Sequence, residues 1–187
     1  MTHWTAIKRV LRYLKGTKDQ GIVFRQKPDA LELQVYADAD FANSQDAKSI
    51  SGYCCNLGGG CIAWSSKKQS VVALSTTEAE YIALAHASKQ LIWLRRLLGE
   101  IGINIADSSK LFTDNLSAMA IVHDSTYHAR TKHINTAFHF TREIVASNEA
   151  SLTYVPLKEN PADILTKGLD AAQHNYLKIK LGIATSR

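Results

Sequence analysis

The chain has 187 residues, 45% of them hydrophobic and 21% charged. That is enough for one well-cored domain with short appendages, too little for two large ones, and too apolar for wholesale disorder. The net charge of +5 arises within residues 1–30, where seven Lys/Arg face two acids, and the rest of the chain carries 15 of each sign; any electrostatic footprint for a polyanion is concentrated near the N-terminus. The three cysteines, Cys54, Cys55 and Cys61, have neither zinc spacing nor the makings of a disulfide framework and point to a reducing compartment. No apolar run approaches ~18 residues, so neither a membrane span nor a secretory leader is expected.

Residues 3–15 place Trp4, Ile7, Leu11 and Leu14 at helical spacing, with Lys8, Arg12 and Lys15 on another face and Gly16 as a stop. The basic face suits either docking in solvent or nucleic-acid contact. Residues 17–30 carry turn signals around a short apolar stretch and read as a linker. Residues 31–38 alternate cleanly, with Leu31, Leu33, Val35 and Ala37 on one face and Glu32, Gln34, Tyr36 and Asp38 on the other, which predicts a strand ending in acid. Ile50–Leu57 and Cys61–Ser65 flank three glycines and read as a hairpin, with a further strand near Ser70–Leu74. Ser75-Thr76-Thr77-Glu78 is a capping-box signature opening a long helix to about Leu98, ended by Gly99 or Gly102. Lys110–Thr113 follows as a strand, Ser117–His123 and His133–Ser147 as helices, and Leu152–Val155 as a strand. Asn160-Pro161 then forms a cap with proline at the first position of a last helix. An antiparallel meander continued through helical crossovers is a mixed α/β fold.

Four acids take matched places in this plan. Asp38 closes the first strand, Asp114 follows the fourth, and Glu80 and Asp163 lie in the first turns of their helices. Ligands of α/β sheets gather at the carboxyl ends of strands and at helix N-termini. Acids converging there repel one another unless a cation lies between them, and hard oxygen donors favour Mg²⁺ or Mn²⁺ over zinc. At about 100° per residue, Leu84, Ala87, Leu91, Leu94 and Leu98 fall within about 40° of Glu80, so Glu80 points along the stripe that packs on the sheet, whereas Glu78 points away. Each acid alone also suits ordinary capping or turn chemistry.

The segments YADAD (36–40), SISGYCCNLGGGCIAWSSKKQ (49–69), ALSTTEAEYIAL (73–84), LFTDN (111–115), HARTKHI (128–134) and YVPLKENPADILTK (154–167) resemble the ribonuclease H domain of copia-type LTR retrotransposon polyproteins. HWTAIKRVLRYLKGT (3–17) is similar to the end of the adjoining reverse transcriptase. The resemblance implies a ribonuclease H-like, mixed five-stranded sheet flanked by helices, with a reverse-transcriptase tail and linker over 1–30, the nuclease-like domain over 31–170 and a C-terminal tail over 171–187. It implies hydrolysis of the RNA strand of an RNA–DNA hybrid, with Asp38, Glu80, Asp114 and Asp163 holding two Mg²⁺ or Mn²⁺ ions. Its implied partners are the hybrid and the rest of the polyprotein, and its implied location is the retroelement particle in the cytoplasm, or the nucleus. Candidate contacts to the hybrid are Lys67 and Lys68 beside Trp64, Asn115 beside Asp114, and Arg130 and Lys132 in HARTKHI. The sequence departs from cellular ribonucleases H in having no histidine in the loop Pro156–Asn160 before the last acid. The rival reading is a catalytically silent nucleic-acid-binding or tethering module on the same fold.

Overall fold

The computed structural model describes residues 2–24, 31–42, 46–123 and 135–185. Its centre is a five-stranded sheet in the order β4-β3-β2-β5-β6, built from β2 (Gln34–Asp40), β3 (Ile50–Leu57), β4 (Gly60–Lys68), β5 (Ser109–Thr113) and β6 (Ala150–Tyr154). β2, β3 and β4 run antiparallel, and β5 and β6 join parallel to β2. This is the mixed α/β sheet expected from the meander and its crossovers.

The alternation in β2 sets the two layers. Leu33, Val35 and Ala37 face the long helix α2 (Thr76–Glu100), whose Tyr81, Leu84, Ala87, Leu91, Leu94 and Leu98 complete the main core. Helices α3 (Leu116–His123) and α4 (Asn135–Ala146) contribute Ala118, Val122 and Ile144 to the same core. The opposite face of the sheet, bearing Cys54, Cys61 and Tyr36, is covered by Ala162, Ile164 and Leu165 of a 3₁₀ turn (Pro161–Leu165) and by Leu181. β3 is therefore covered on both faces, which is why its residues, polar Ser51 and Asn56 included, are mostly buried without the alternation of a half-exposed strand. All three cysteines are buried and free.

Ser75 caps α2 by accepting a hydrogen bond from the Glu78 amide at 3.1 Å, while the Glu78 carboxylate reaches one residue further back than an ordinary capping box, to the Leu74 amide at 2.7 Å. Gly102, at φ +77°, follows the helix end. The strand expected at Ser70–Leu74 does not form. β4 instead continues to Lys68, and Gln69 ends it by sending its side-chain amide into Ser51 Oγ at 2.8 Å and the Ala79 carbonyl at 2.9 Å. Val71, Val72 and Leu74, which suggested the strand, are exposed with no sheet partner.

Outside the main sheet, α1 (Thr2–Thr17) presents its apolar residues to solvent. The segment after it forms the short β1 (Gln20–Ile22), antiparallel to β7 (Ile183–Thr185), which follows α5 (Ala171–Lys180). The amide of Val23 donates to the Gly182 carbonyl at 2.8 Å and that of Cys61 to the Leu181 carbonyl at 3.0 Å, joining this strand pair to the hairpin of the main sheet. Among the described residues no helix is long and apolar enough to cross a membrane.

Candidate metal centre

Three elements bring carboxylates to one place. Asp38 lies near the carboxyl end of β2, Glu80 in the second turn of α2, and Asp114 just after β5. β2 and β5 are adjacent and parallel, so their carboxyl ends coincide and the helix that crosses the sheet starts beside them. Asp38, Glu80 and Asp114 each offer one carboxylate oxygen, and these oxygens lie within 4.8 Å of one another. Asp38 is 1% and Glu80 8% exposed. The stripe geometry predicted for Glu80 holds: Leu84, Ala87, Leu91, Leu94 and Leu98 beneath it are all buried.

The electrostatics record crowding. Burial, and then the nearby Asp38 and Asp114, push the Glu80 carboxyl up to about 9, against hydrogen bonding from the Ala39 amide. Burial and Asp38 likewise raise Asp114. Glu80 Oε2 and Asp114 Oδ1 are buried and have no hydrogen-bond partner. Buried carboxylate oxygens left unbonded beside like charges are unfavourable unless a cation joins them. An all-oxygen, all-carboxylate donor set of this kind fits a hard divalent cation such as Mg²⁺ or Mn²⁺.

Asp163 approaches from the other layer. It lies in the 3₁₀ turn Pro161–Leu165, not in the α-helix that Asn160-Pro161 suggested, and is 3% exposed. It stands against Asp38, outside the group formed by the other three acids; burial and Asp38 raise it to about 7, while Lys167 pulls it down. Lys167 Nζ lies 2.9 Å from Asp163 Oδ1.

Three side chains that sequence reasoning passed over hold these acids. Thr166 donates its hydroxyl to Asp38 Oδ2. The fully buried Asn160 donates Nδ2 to the Ala37 carbonyl at 2.9 Å, accepts from the Ala162 amide at 3.1 Å, and hydrogen-bonds Asp114. One amide thus fastens the 3₁₀ turn to β2 and to the acid after β5. Replacing Asn160 with alanine should destabilise the protein by about 3 kcal/mol, because buried partners are left unsatisfied; a shift in the urea midpoint at constant m-value measures it. The third is Lys167, and its position four residues after Asp163 was the available signal.

No protein-family profile matches the chain. Over 182 residues, 97% of the chain, it is 44% identical to the retrovirus-related Pol polyprotein from transposon TNT 1-94 of Nicotiana tabacum, and covers 14% of that polyprotein. Over the same share it is 41% identical to the Pol polyprotein from transposon RE2 of Arabidopsis thaliana, and covers 12% of it. Over nearly its whole length the chain is thus similar to segments of copia-type retrotransposon Pol polyproteins, of which it spans 14% and 12%. Its fold is that of ribonuclease H: LC11-RNase H1, solved in complex with an RNA/DNA hybrid, superposes with a TM-score of 0.53 at 16% identity, over 72% of this chain and 94% of that one.

In this chain the loop that departs from the cellular enzymes is tied down. Leu157–Glu159 forms a 3₁₀ turn, Glu159 pairs with Lys180 and accepts from the Tyr176 hydroxyl at 2.6 Å, and Gln173 Nε2 donates to the Lys158 carbonyl at 2.7 Å. The loop before Asp163 is thereby fixed to α5. Lys67 and Lys68 end β4 and are exposed; Lys68 pairs with Asp46 at 3.1 Å, and Trp64 on the same strand is 67% exposed. Asn115 uses its Oδ1 to cap α3, accepting from the Ala118 amide at 2.8 Å. Arg130 and Lys132 lie outside the described residues.

Proposed function

We propose that the chain is the ribonuclease H of a copia-type Pol polyprotein, hydrolysing the RNA strand of RNA–DNA hybrids formed in reverse transcription. The observation that carries this reading is the carboxylate group at the joined carboxyl ends of β2 and β5, with buried oxygens of Glu80 and Asp114 lacking partners. Asp38, Glu80, Asp114 and Asp163 would hold two Mg²⁺ or Mn²⁺ ions. Such ions, when bound, activate water towards the scissile phosphodiester and stabilise the departing 3′-oxygen.

The protein's own groups set the geometry. Thr166 orients Asp38 through its hydroxyl, and Asn160 locks Asp114 and the Asp163 turn against β2. The hybrid would be held through phosphates and 2′-hydroxyls by Lys67, Lys68, Asn115, Arg130 and Lys132, with no sequence code. Lys67 and Lys68 pair in register with Ser51 and Ile50 of β3, which in turn face Ala39 and Asp40 of β2. These bases therefore stand at the same end of the sheet as Asp38. The fold shared with LC11-RNase H1, a protein solved with an RNA/DNA hybrid, supports the same substrate class. The reading includes the remaining Pol segments as partners, the nuclease-like unit at 31–170, and a place in the cytoplasmic retroelement particle or the nucleus.

The test is cleavage of a hybrid labelled on each strand, with Mg²⁺ or Mn²⁺, beside an Asp114→Asn variant. Cutting of the RNA strand is expected only with metal, falling at least about 100-fold in the variant. A folded protein that binds the hybrid and never cuts it would instead be a tethering module. Equal cutting of duplex DNA or single strands would make it a different nuclease.

A further inference from the structure

Lys167 touches Asp163, and its charge is felt by the other acids of the centre as well. Its Nζ is 2.9 Å from Asp163 Oδ1 and its side chain is 30% exposed. Burial disfavours its charge, but Asp163, Asp38 and Asp114 more than offset this, so the ammonium is held firmly protonated. The same charge acts back on Glu80, Asp114 and Asp163. Lys167 is thus a cation that the chain itself supplies to its acidic cluster.

The geometry divides the cluster in two. Asp38, Glu80 and Asp114 can close on one ion together. Asp163 stands outside that group, with its Oδ1 paired to the Lys167 ammonium at 2.9 Å. A second ion shared by Asp38 and Asp163 must either displace the ammonium or bind beside a like charge. The charge balance points the same way. One divalent ion and Lys167 leave four carboxylates nearly neutralised, whereas two ions and Lys167 exceed them. A flexible four-carbon stem allows the ammonium to swing away, which a rigid planar group does less readily.

We propose that Lys167 is a positioning residue that controls occupancy of the second ion site: one divalent ion binds among Asp38, Glu80 and Asp114 with Lys167 in place, and a second reaches Asp163 only as the Lys167 ammonium withdraws. The proposal rests on the metal-centre reading above and adds the order of loading. The phosphodiester of a bound substrate supplies the negative charge that the second ion needs, so this site fills fully only with substrate present.

Mn²⁺ binding to the full chain, followed by calorimetry and by electron paramagnetic resonance, tests the order. The proteins are the unsubstituted chain, Lys167→Met, Lys167→Gln and Lys167→Arg, all without nucleic acid. The unsubstituted chain should take one ion tightly and a second at least about tenfold more weakly. Lys167→Met should tighten the second site by about tenfold or more, since a unit charge a few ångströms from a divalent ion is removed. Lys167→Arg keeps the charge and should leave the second site weak, which a merely structural lysine would not predict. Lys167→Gln, neutral and polar, carries the test if the methionine variant does not fold. Equal second-site affinity in the neutral variants and the unsubstituted chain overturns the role of Lys167 and leaves the metal centre standing. No Mn²⁺ binding by any of the proteins overturns the metal centre itself, and the proposal with it.

Discussion

Glu80→Gln is expected to stabilise the metal-free protein at neutral pH while abolishing hybrid cleavage. The folded-state carboxyl is raised to about 9 from an ordinary 4.5, first by burial and then by Asp38 and Asp114. Its contribution to stability is therefore fully present below pH 4.5 and is lost as pH rises towards 9. Between those values the unfolded chain is ionised at this position and the folded chain holds the proton, so stability falls with pH. By pH 7 the loss amounts to about 3 kcal/mol. Glutamine does not ionise, so the variant should show a flatter curve of urea midpoint against pH from 5 to 8 in a chelating buffer. Mg²⁺ should then raise the midpoint of the unsubstituted protein at pH 8 and leave that of the variant nearly unmoved. Parallel pH curves for the two proteins would mean that Glu80 is not the strained member of the cluster.

The second large effect is expected at Gly52, which pairs directly with Asp38 across β2 and β3. A Cβ built there would stand 2.6 Å from Thr166 Cγ2, 3.0 Å from Leu165 Cβ and 3.2 Å from the Ala162 carbonyl oxygen. A side-chain methyl can rotate, but a backbone carbonyl yields only if the whole 3₁₀ turn moves. That turn carries Asp163, and Thr166 directly after it bonds Asp38. Gly52→Val should therefore cost about 1–3 kcal/mol through overpacking. It should also lower cleavage by up to about 100-fold, since displacing a catalytic group by an ångström has that effect. Gly52→Ala should follow in the same direction. Full cleavage by the alanine variant, with an unchanged denaturation midpoint, would show that the turn has room to give.

The parts of this fold that were legible from sequence are those written in periodic patterns. Glu80 was separable from Glu78 because a 25-residue helix repeats its buried stripe several times, which fixes the angle of each member. β2 was legible because its alternation is clean. The misassigned strand at Ser70–Leu74 shows the limit of local propensity: Val71 and Val72 suit a strand, but no neighbour offers them an edge, and the side chain of Gln69 ends the ladder. β1 and β7 are three residues each, too short to carry a period, and exist because each is the other's partner. Asp163 was singled out by its place at a predicted helix start and again by the resemblance, and it stands against Asp38 outside the group of the other three acids. Its 3₁₀ setting was hidden, because the Asn160 cap and Pro161 open a 3₁₀ turn as readily as an α-helix. Thr166 and Asn160 matter through contacts across layers, which no local pattern announces, whereas Lys167 was signalled only by its spacing of four from Asp163.

The pairing of β1 with β7 also bears on how this segment matures. Gln20 pairs with Thr185, so the strand pair closes almost the whole length of the segment into one loop. The entropy of closing so long a loop rises only slowly with its length, so the pair is tolerable once the main sheet has formed. In time, however, β1 is synthesised early and waits for a partner that leaves the ribosome last among the described strands. During that wait its edge is open to any other strand, and the Gly60 end of the hairpin lacks the cover that Ile22 and Phe24 will give it. The late arrival of β7 thus acts as a clasp, closing over the Gly60 end of the hairpin only after the strands of the main sheet have been made.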